Sequence, residues 1–127
     1  MARVLLVEDH EEIWDFLSRR LERRGHTVSI ATDGRQAVDK ARSERPDIIL
    51  LDMNLPVMDG WTAAREIKST PEGKATPIVA LTAHAMSGDR EKAIAAGCDD
   101  YHPKPVDFTK LLAQIARLVG ETPSATS

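Results

Sequence analysis

The chain has 127 residues, 42% of them apolar, which is enough for one domain with a buried core. Its 17 basic and 20 acidic residues leave a formal net charge of −3, which argues against direct binding of nucleic acid. The single cysteine, Cys98, excludes an internal disulfide, and no apolar run reaches the roughly 20 residues that span a membrane. Because the sequence after Met1 also lacks a signal-peptide pattern, we expect a cytoplasmic protein that does not contact membranes.

Short apolar runs alternate with longer helical patterns along the chain. The patterns predict strands at residues 4–7, 27–31, 48–51, 78–81 and, more weakly, 99–101. They predict helices at residues 11–24, 34–44, 60–69, 87–96 and 107–119, with Ser87 as a cap of the fourth. In the first helix the predicted buried face carries Ile13, Phe16, Leu17 and Leu21. Residues 1–120 then form one domain, and residues 121–127 form a polar tail.

Five strands that alternate with five helices imply right-handed crossovers and a parallel sheet covered by helices on both faces. The wholly apolar run at residues 48–51 fits a strand buried on both faces, whereas residues 27–31 alternate like an outer strand. The sequence therefore predicts an α/β fold with a doubly wound parallel sheet.

Reactive side chains fall at the carboxyl ends of four of these strands. Glu8 and Asp9 follow the first strand, Asp52 ends the third, Thr82 ends the fourth and Lys104 follows the fifth. Open α/β sheets place their sites at this edge. Each residue alone has an ordinary explanation, because acidic pairs cap helices and aspartates occupy turns. Their conjunction at four strand ends predicts a functional site.

Three carboxylates brought together at this edge repel one another, by roughly 4 kcal/mol per pair at about 4 Å and an effective dielectric near 20. The cluster must hold protons or bind a cation, and hard oxygen ligands suit Mg²⁺. A carboxylate such as Asp52 can act as a nucleophile toward phosphorus and form an aspartyl phosphate. Lys104 can pair with phosphoryl oxygens, and the Thr82 hydroxyl can donate a hydrogen bond to one.

The sequence resembles the receiver domains of two-component response regulators over about residues 2–119. The segments that carry the resemblance are VLLVED at 4–9, PDIILLDMNLPVMDG at 46–60, IVALTA at 78–83 and GCDDYHPKP at 97–105. The resemblance implies a flavodoxin-like (βα)5 fold with the strand order 2-1-3-4-5. It also implies a cis peptide bond between Lys104 and Pro105, and a loop after the third strand shaped by Pro56 and Gly60.

The resemblance further implies a role for individual residues. Asp52 would accept the phosphoryl group, Thr82 and Lys104 would engage that group, and Tyr101 would move with Thr82 as an aromatic switch. The output surface would be the face formed by the last two helices and the fifth strand. The expected phosphodonor is a histidine kinase, a histidine phosphotransfer domain or both, and the sequence does not name the downstream target.

The resemblance also implies a metal site and a dephosphorylation path. Asp9 and Asp52 would bind Mg²⁺ directly, Glu8 through water and Asn54 through its main-chain carbonyl, and Mn²⁺ could substitute for Mg²⁺. Asn54 and His84 would flank the path of the water that hydrolyses the aspartyl phosphate. The chain would lose its own phosphoryl group but would not turn over external substrates.

Some residues near these segments have two explanations. We interpret His10 and His102 as solvated, Cys98 as a small buried residue and Trp61 as packed beside the site, although an exposed Trp61 ring could contact a partner. The basic cluster on the first helix is either a solvated face or a docking surface for an acidic kinase or phosphotransfer domain; it comprises Arg19, Arg20, Arg23 and Arg24.

Three other functions compete with a stand-alone receiver. The chain could be the input domain of a larger regulator, but Met1 beside the first strand and the short tail favour a stand-alone protein. A haloacid-dehalogenase-like phosphatase would need a second aspartate two residues after Asp52, where this chain has Asn54. A flavodoxin would need a hydroxyl-rich phosphate loop after the first strand, and the acidic residues there do not provide one.

Overall fold

A computed structural model describes residues 2–83 and 88–120 of the chain. The strands are β1 (Arg3–Val7), β2 (Thr27–Ala31), β3 (Ile48–Asp52), β4 (Ile78–Thr82) and β5 (Asp100–Pro103). The helices are α1 (Glu11–Arg23), α2 (Gly34–Glu44), α3 (Gly60–Lys68), α4 (Pro71–Ala75), α5 (Asp89–Ala95) and α6 (Phe108–Val119). Within the described residues no helix is long and apolar enough to cross a membrane.

All five strands are parallel and lie in the order β2-β1-β3-β4-β5, which confirms the predicted topology. The central strands β3 and β4 are buried along their whole length, because helices cover both faces of the sheet. The edge strand β2 is only partly buried, as its alternating sequence predicts. Neighbouring strand ends coincide in register, so that Val7 pairs with Leu51 and Asp52 pairs with Leu81.

The apolar core consists of two layers, one on each face of the sheet. On one face α1 and α6 cover alternate strand residues with large side chains such as Leu17, Leu21, Leu111 and Ile115. On the other face α2, α3 and α5 pack mostly through alanines, which let the helices approach the strands closely. Cys98 belongs to this second layer and is 4% exposed, so the prediction of a buried cysteine is confirmed.

Helix α4 is an element that the sequence analysis missed, because five residues are too few to show helical periodicity. The Thr70 hydroxyl oxygen caps it by accepting a hydrogen bond from the Gly73 N–H at 3.0 Å, and Pro71 occupies its first turn. The predicted cap of the next helix, Ser87, lies outside the described residues, and the described helix begins at Asp89.

The prediction that Phe16 is buried is wrong, because its side chain is 56% exposed. The buried stripe of α1 runs along positions 13, 17 and 21, and residue 16 projects about 100° away from it. The Phe16 ring instead lies beneath the guanidinium of Arg20, whose Cζ is 5.2 Å from the ring centre. Arg20 also covers Phe108 at 4.5 Å and so joins α1 to α6.

The loop after β3 folds tightly back onto the sheet. A Cβ atom on Gly60 would lie 2.5 Å from the Met53 Cα and 2.6 Å from the Asp52 carbonyl oxygen, so only glycine fits there. Within the loop, Val57 is 83% exposed and has φ 68°, an unfavourable conformation for a β-branched residue. The loop thus holds the residues after Asp52 closely, at some conformational cost.

Candidate functional site

The carboxyl ends of β1, β3, β4 and β5 lie side by side at one edge of the sheet. They bring together the residues that the sequence analysis selected. Asp52 is the last residue of β3, Thr82 is the last residue of β4, and Lys104 directly follows β5. Glu8, which follows β1, donates its main-chain N–H to the Ala31 carbonyl at 3.0 Å and is thereby fixed at the end of the sheet.

Lys104 lies between two buried carboxylates. Its Nζ is 3.0 Å from Oε1 of Glu8 and 3.3 Å from Oδ1 of Asp52. The Glu8 side chain is completely buried and that of Asp52 is 3% exposed, whereas Lys104 is 22% exposed. In this structure a protein cation therefore relieves part of the carboxylate repulsion that the sequence analysis expected.

Opposing effects act on the pKa of the Asp52 carboxyl group. Burial and the negative charge of Glu8 raise its pKa, and the Asn54 N–H and the Lys104 ammonium act in the other direction. The net result is a pKa above the ordinary value. The Asn54 N–H donates to Oδ1 of Asp52 at 3.1 Å, so the main chain of Asn54 belongs to the site while its side chain is exposed.

Glu8 is held in its charged form more firmly than Asp52. Burial alone would raise its pKa, but hydrogen bonds from His10 and Lys104 outweigh that effect, and the pKa is lowered. His10 contributes both its main-chain N–H, at 3.1 Å, and its ring Nδ1, at 3.0 Å, to Oε2 of Glu8. The hydrogen bond to Glu8 in turn raises the pKa of His10.

The interpretation of His10 as a merely solvated residue is therefore incomplete. Its side chain is 58% exposed, yet its ring contacts Glu8 and lies 3.3 Å from Oδ1 of Asp9. The only signal in the sequence is its position directly after the acidic pair. Glu8, Asp9 and His10 each offer a metal-ligating atom, and these atoms lie within 4.8 Å of one another.

Asp9 provides the evidence that this edge suits a cation. Its Oδ1 is buried and accepts no hydrogen bond within residues 2–83 and 88–120, because the nearby ring Nδ1 of His10, at 3.3 Å, is engaged with Glu8 at 3.0 Å. A buried carboxylate oxygen without a donor is costly, and a hard divalent cation is the partner that such an oxygen prefers. The set of carboxylate oxygens at this edge therefore fits Mg²⁺.

Three further predicted residues lie on or beside the strands of this sheet. Thr82 is buried and lies one residue beyond Leu81, the register partner of Asp52. Tyr101 is partly buried against the alanine-rich layer, opposite Ala80 on β4. Trp61 packs against the same layer, and the Lys92 ammonium lies 4.9 Å from its ring centre. His84 lies outside the described residues.

The interpretation of His102 as a solvated residue is wrong. It is 3% exposed and hydrogen-bonded to Asp107 and Gln114, because β5 turns its side chain toward α6. The Lys104–Pro105 peptide bond is cis, as predicted.

The chain is similar to known proteins over nearly its whole length. The family model of the response regulator receiver domain matches residues 4–116. The response regulator MprA of Mycolicibacterium vanbaalenii is 39% identical over 121 residues, which cover 95% of this chain and 52% of MprA. The chain thus spans about half the length of the curated relatives it matches.

Two solved structures are similar in fold and in sequence. One is the receiver domain of the sensor histidine kinase PA1611 from Pseudomonas aeruginosa PAO1, with a magnesium ion coordinated in its active site cleft. It is 41% identical, with a TM-score of 0.88 and coverage of 94% of this chain and 98% of that one. The other is the complex of the Saccharomyces cerevisiae histidine phosphotransfer protein Ypd1 with the receiver domain of Ssk1. It is 30% identical, with a TM-score of 0.87 and coverage of 93% and 88%. This chain belongs to the response regulator receiver domain family of two-component signalling.

Proposed function

We propose that the chain accepts a phosphoryl group on Asp52 in a two-component or phosphorelay pathway. The observation that carries the proposal is the Lys104 ammonium held between Glu8 and Asp52 at the carboxyl edge of the sheet. This arrangement places a nucleophilic carboxylate beside a cation that can pair with the oxygens of an incoming phosphoryl group.

In the proposed reaction an oxygen of the Asp52 carboxylate attacks the phosphorus of a phosphohistidine. The bond between phosphorus and the imidazole nitrogen breaks, the nitrogen keeps the electron pair, and Asp52 becomes an acyl phosphate. Lys104 exchanges part of its contact with Asp52 for a phosphoryl oxygen, while its contact with Glu8 keeps the ammonium in place. The Thr82 hydroxyl, at the end of the neighbouring strand, donates a hydrogen bond to another phosphoryl oxygen.

Asp9 and Asp52 would hold Mg²⁺ directly, Glu8 through water and Asn54 through its main-chain carbonyl. The ion would supply positive charge that offsets both the carboxylates and the phosphoryl oxygens. The unsatisfied Oδ1 of Asp9 and the magnesium ion in the similar Pseudomonas aeruginosa receiver domain support this assignment. The carboxylate ligands suit Mn²⁺ as well, so we expect Mn²⁺ to substitute.

The phosphodonor would be a histidine kinase or a histidine phosphotransfer domain, as in the complex of Ypd1 with Ssk1. An open groove of about 560 Å³ begins at Lys104 and is lined by apolar side chains, including those of Ile13, Phe16 and Val106. Because a donor histidine must reach Asp52 past Lys104, the donor's helix would lie in this groove. Arg20, whose guanidinium lies over the ring of Phe16 at this groove, would favour an acidic group on the partner.

Phosphorylation would be read through Thr82 and Tyr101. Movement of the Thr82 hydroxyl toward the phosphoryl group would open space for the Tyr101 ring, which now packs only partly against the core. The change would bias the face formed by α5, β5 and α6 between two packings. Couplings of this kind are typically worth about 1–3 kcal/mol.

The test is labelling with a small phosphodonor such as phosphoramidate, followed by intact mass measurement. We expect wild-type protein to gain one phosphoryl group in Mg²⁺ and none in EDTA. Asp52→Asn should not be labelled, whereas Asp39→Asn, a control at an exposed aspartate on α2, should be labelled normally. Full labelling of Asp52→Asn would refute the proposal.

A further inference from the structure

Strand β5 and helix α6 are joined by a chain of side-chain hydrogen bonds that starts at His102. The ring Nε2 of His102 accepts a hydrogen bond from the main-chain N–H of Asp107 at 3.0 Å, and Nδ1 lies 2.7 Å from Oε1 of Gln114. Because Nε2 accepts, the proton of the neutral ring resides on Nδ1 and is donated to Gln114. The ring is 3% exposed, so both of its polar atoms depend on these partners.

Gln114 continues the chain toward the edge of the sheet. Its Nε2 donates to Oδ2 of Asp100 at 3.1 Å and to the main-chain carbonyl of Tyr101 at 3.0 Å. Arg117 also donates to Oδ2 of Asp100. Gln114 Nε2 donates to two oxygens, and Gln114 Oε1 is left to accept the hydrogen bond from His102. Each of these hydrogen bonds therefore joins a donor to an acceptor. The network thereby secures an edge strand that has a neighbour on one side only.

The loop that carries Lys104 is fastened at both of its ends. At its start the Lys104 N–H donates to the Thr82 carbonyl at 2.7 Å, which fixes the loop to β4. At its end the Asp107 N–H donates to His102, which fixes the first turn of α6 to β5. Residues 105 and 106 lie between these two anchored positions, and the Lys104 ammonium extends from the loop to Glu8 and Asp52.

We propose that His102 is a positioning residue for phosphoryl transfer, because it ties α6 to β5 and so fixes the loop that carries Lys104. This inference rests on the proposed role of Lys104 toward the phosphoryl group. A displacement of about 1 Å of a charged group can cost roughly 100-fold in rate, so a partial loosening of the loop is expected to be measurable. The imidazole is suited to this position because it accepts at one end and donates at the other.

The test compares His102→Leu with His102→Gln. Leucine fills the buried space but offers no partner to Asp107 or Gln114, whereas glutamine can accept from the first and donate to the second. With phosphoramidate, which needs no docking surface, we expect His102→Leu to be labelled about tenfold more slowly at Asp52. His102→Gln should stay within about twofold of wild type. An unchanged rate for His102→Leu would overturn the proposal.

A double-mutant cycle separates positioning of Lys104 from general structural damage. If His102 acts through Lys104, then His102→Leu should not slow labelling further in a Lys104→Met background. A second, full loss of rate in that background would overturn the proposal. Should His102→Leu fail to fold, Gln114→Met removes the next partner in the chain and takes its place in the same cycle.

The result for wild type distinguishes a failure of this inference from a failure of the proposed function. Absence of labelling at Asp52 in wild-type protein would refute the proposed function itself. In that case the coupling between His102 and Lys104 is tested by the urea unfolding midpoints of wild type, His102→Leu, Lys104→Met and the double variant. Non-additive shifts would support a His102–Lys104 coupling, and additive shifts would overturn it.

Discussion

Replacing Lys104 with methionine removes an ammonium group that contacts two buried carboxylates while keeping a side chain of similar length. Glu8 would retain its hydrogen bonds from His10, and Asp52 would retain the one from the Asn54 N–H. Both carboxylates would nevertheless lose their contact with a cation, at 3.0 Å and 3.3 Å respectively. We therefore expect Lys104→Met to lower the free energy of unfolding in metal-free buffer at neutral pH.

The magnitude follows from these distances. At 3.0 Å and 3.3 Å, and with an effective dielectric of about 20, each attraction is roughly 5 kcal/mol before the cost of desolvating the three groups. The decrease in unfolding free energy has an upper limit. A carboxyl group with the ordinary pKa of 3.8 can be protonated at neutral pH at a cost of about 4 kcal/mol, instead of remaining charged without a partner. The hydrogen bonds that remain reduce the loss further. We expect a decrease of about 2–3 kcal/mol.

Urea unfolding followed by far-UV circular dichroism in EDTA measures this difference. Lys110→Met is the matched control, because Lys110 is exposed at the start of α6, and it should change the unfolding free energy by less than about 0.5 kcal/mol. Mg²⁺ should narrow the gap between Lys104→Met and wild type, since a bound cation takes over part of the neutralisation. Equal stability of Lys104→Met and wild type in EDTA would refute the reasoning.

Three further predictions concern the residues around the site. Val57→Asn should raise the free energy of unfolding by about 1 kcal/mol in urea melts, because asparagine tolerates φ 68° better than valine, and a decrease would contradict this. Burial raises the pKa of Cys98 to about 12, so iodoacetamide should modify the native protein far more slowly than the urea-unfolded chain; equal rates would count against a buried thiol. Burial would raise the pKa of Asp100, but hydrogen bonds from Tyr101, Gln114 and Arg117 lower it below its ordinary value of 3.8. Its contribution to stability is therefore present above that value and is lost as pH falls through the lower native pKa. The difference in unfolding free energy between wild type and Asp100→Asn should therefore narrow as the pH falls below 3.8.

Local sequence determined most of the architecture. Apolar runs of four or five residues between amphipathic segments specify strands and helices without reference to distant contacts, and their alternation implies a parallel sheet. Once the sheet is parallel, residues at the carboxyl ends of adjacent strands must meet at one edge. The positions of Glu8, Asp52, Thr82 and Lys104 at that edge therefore followed from chain order alone.

Tertiary structure decided how those residues are partnered. Lys104 and Glu8 are separated by 96 positions, so no local pattern indicates that the ammonium bridges Glu8 and Asp52. The burial of His102 depends on where α6 packs against the edge strand. The exposure of Phe16 depends on which side of α1 faces the sheet, because Phe16 lies about 100° around the helix axis from the buried Leu17. Periodicity reports which residues share a face, whereas the distance and direction between two polar groups on different elements exist only after the elements have packed.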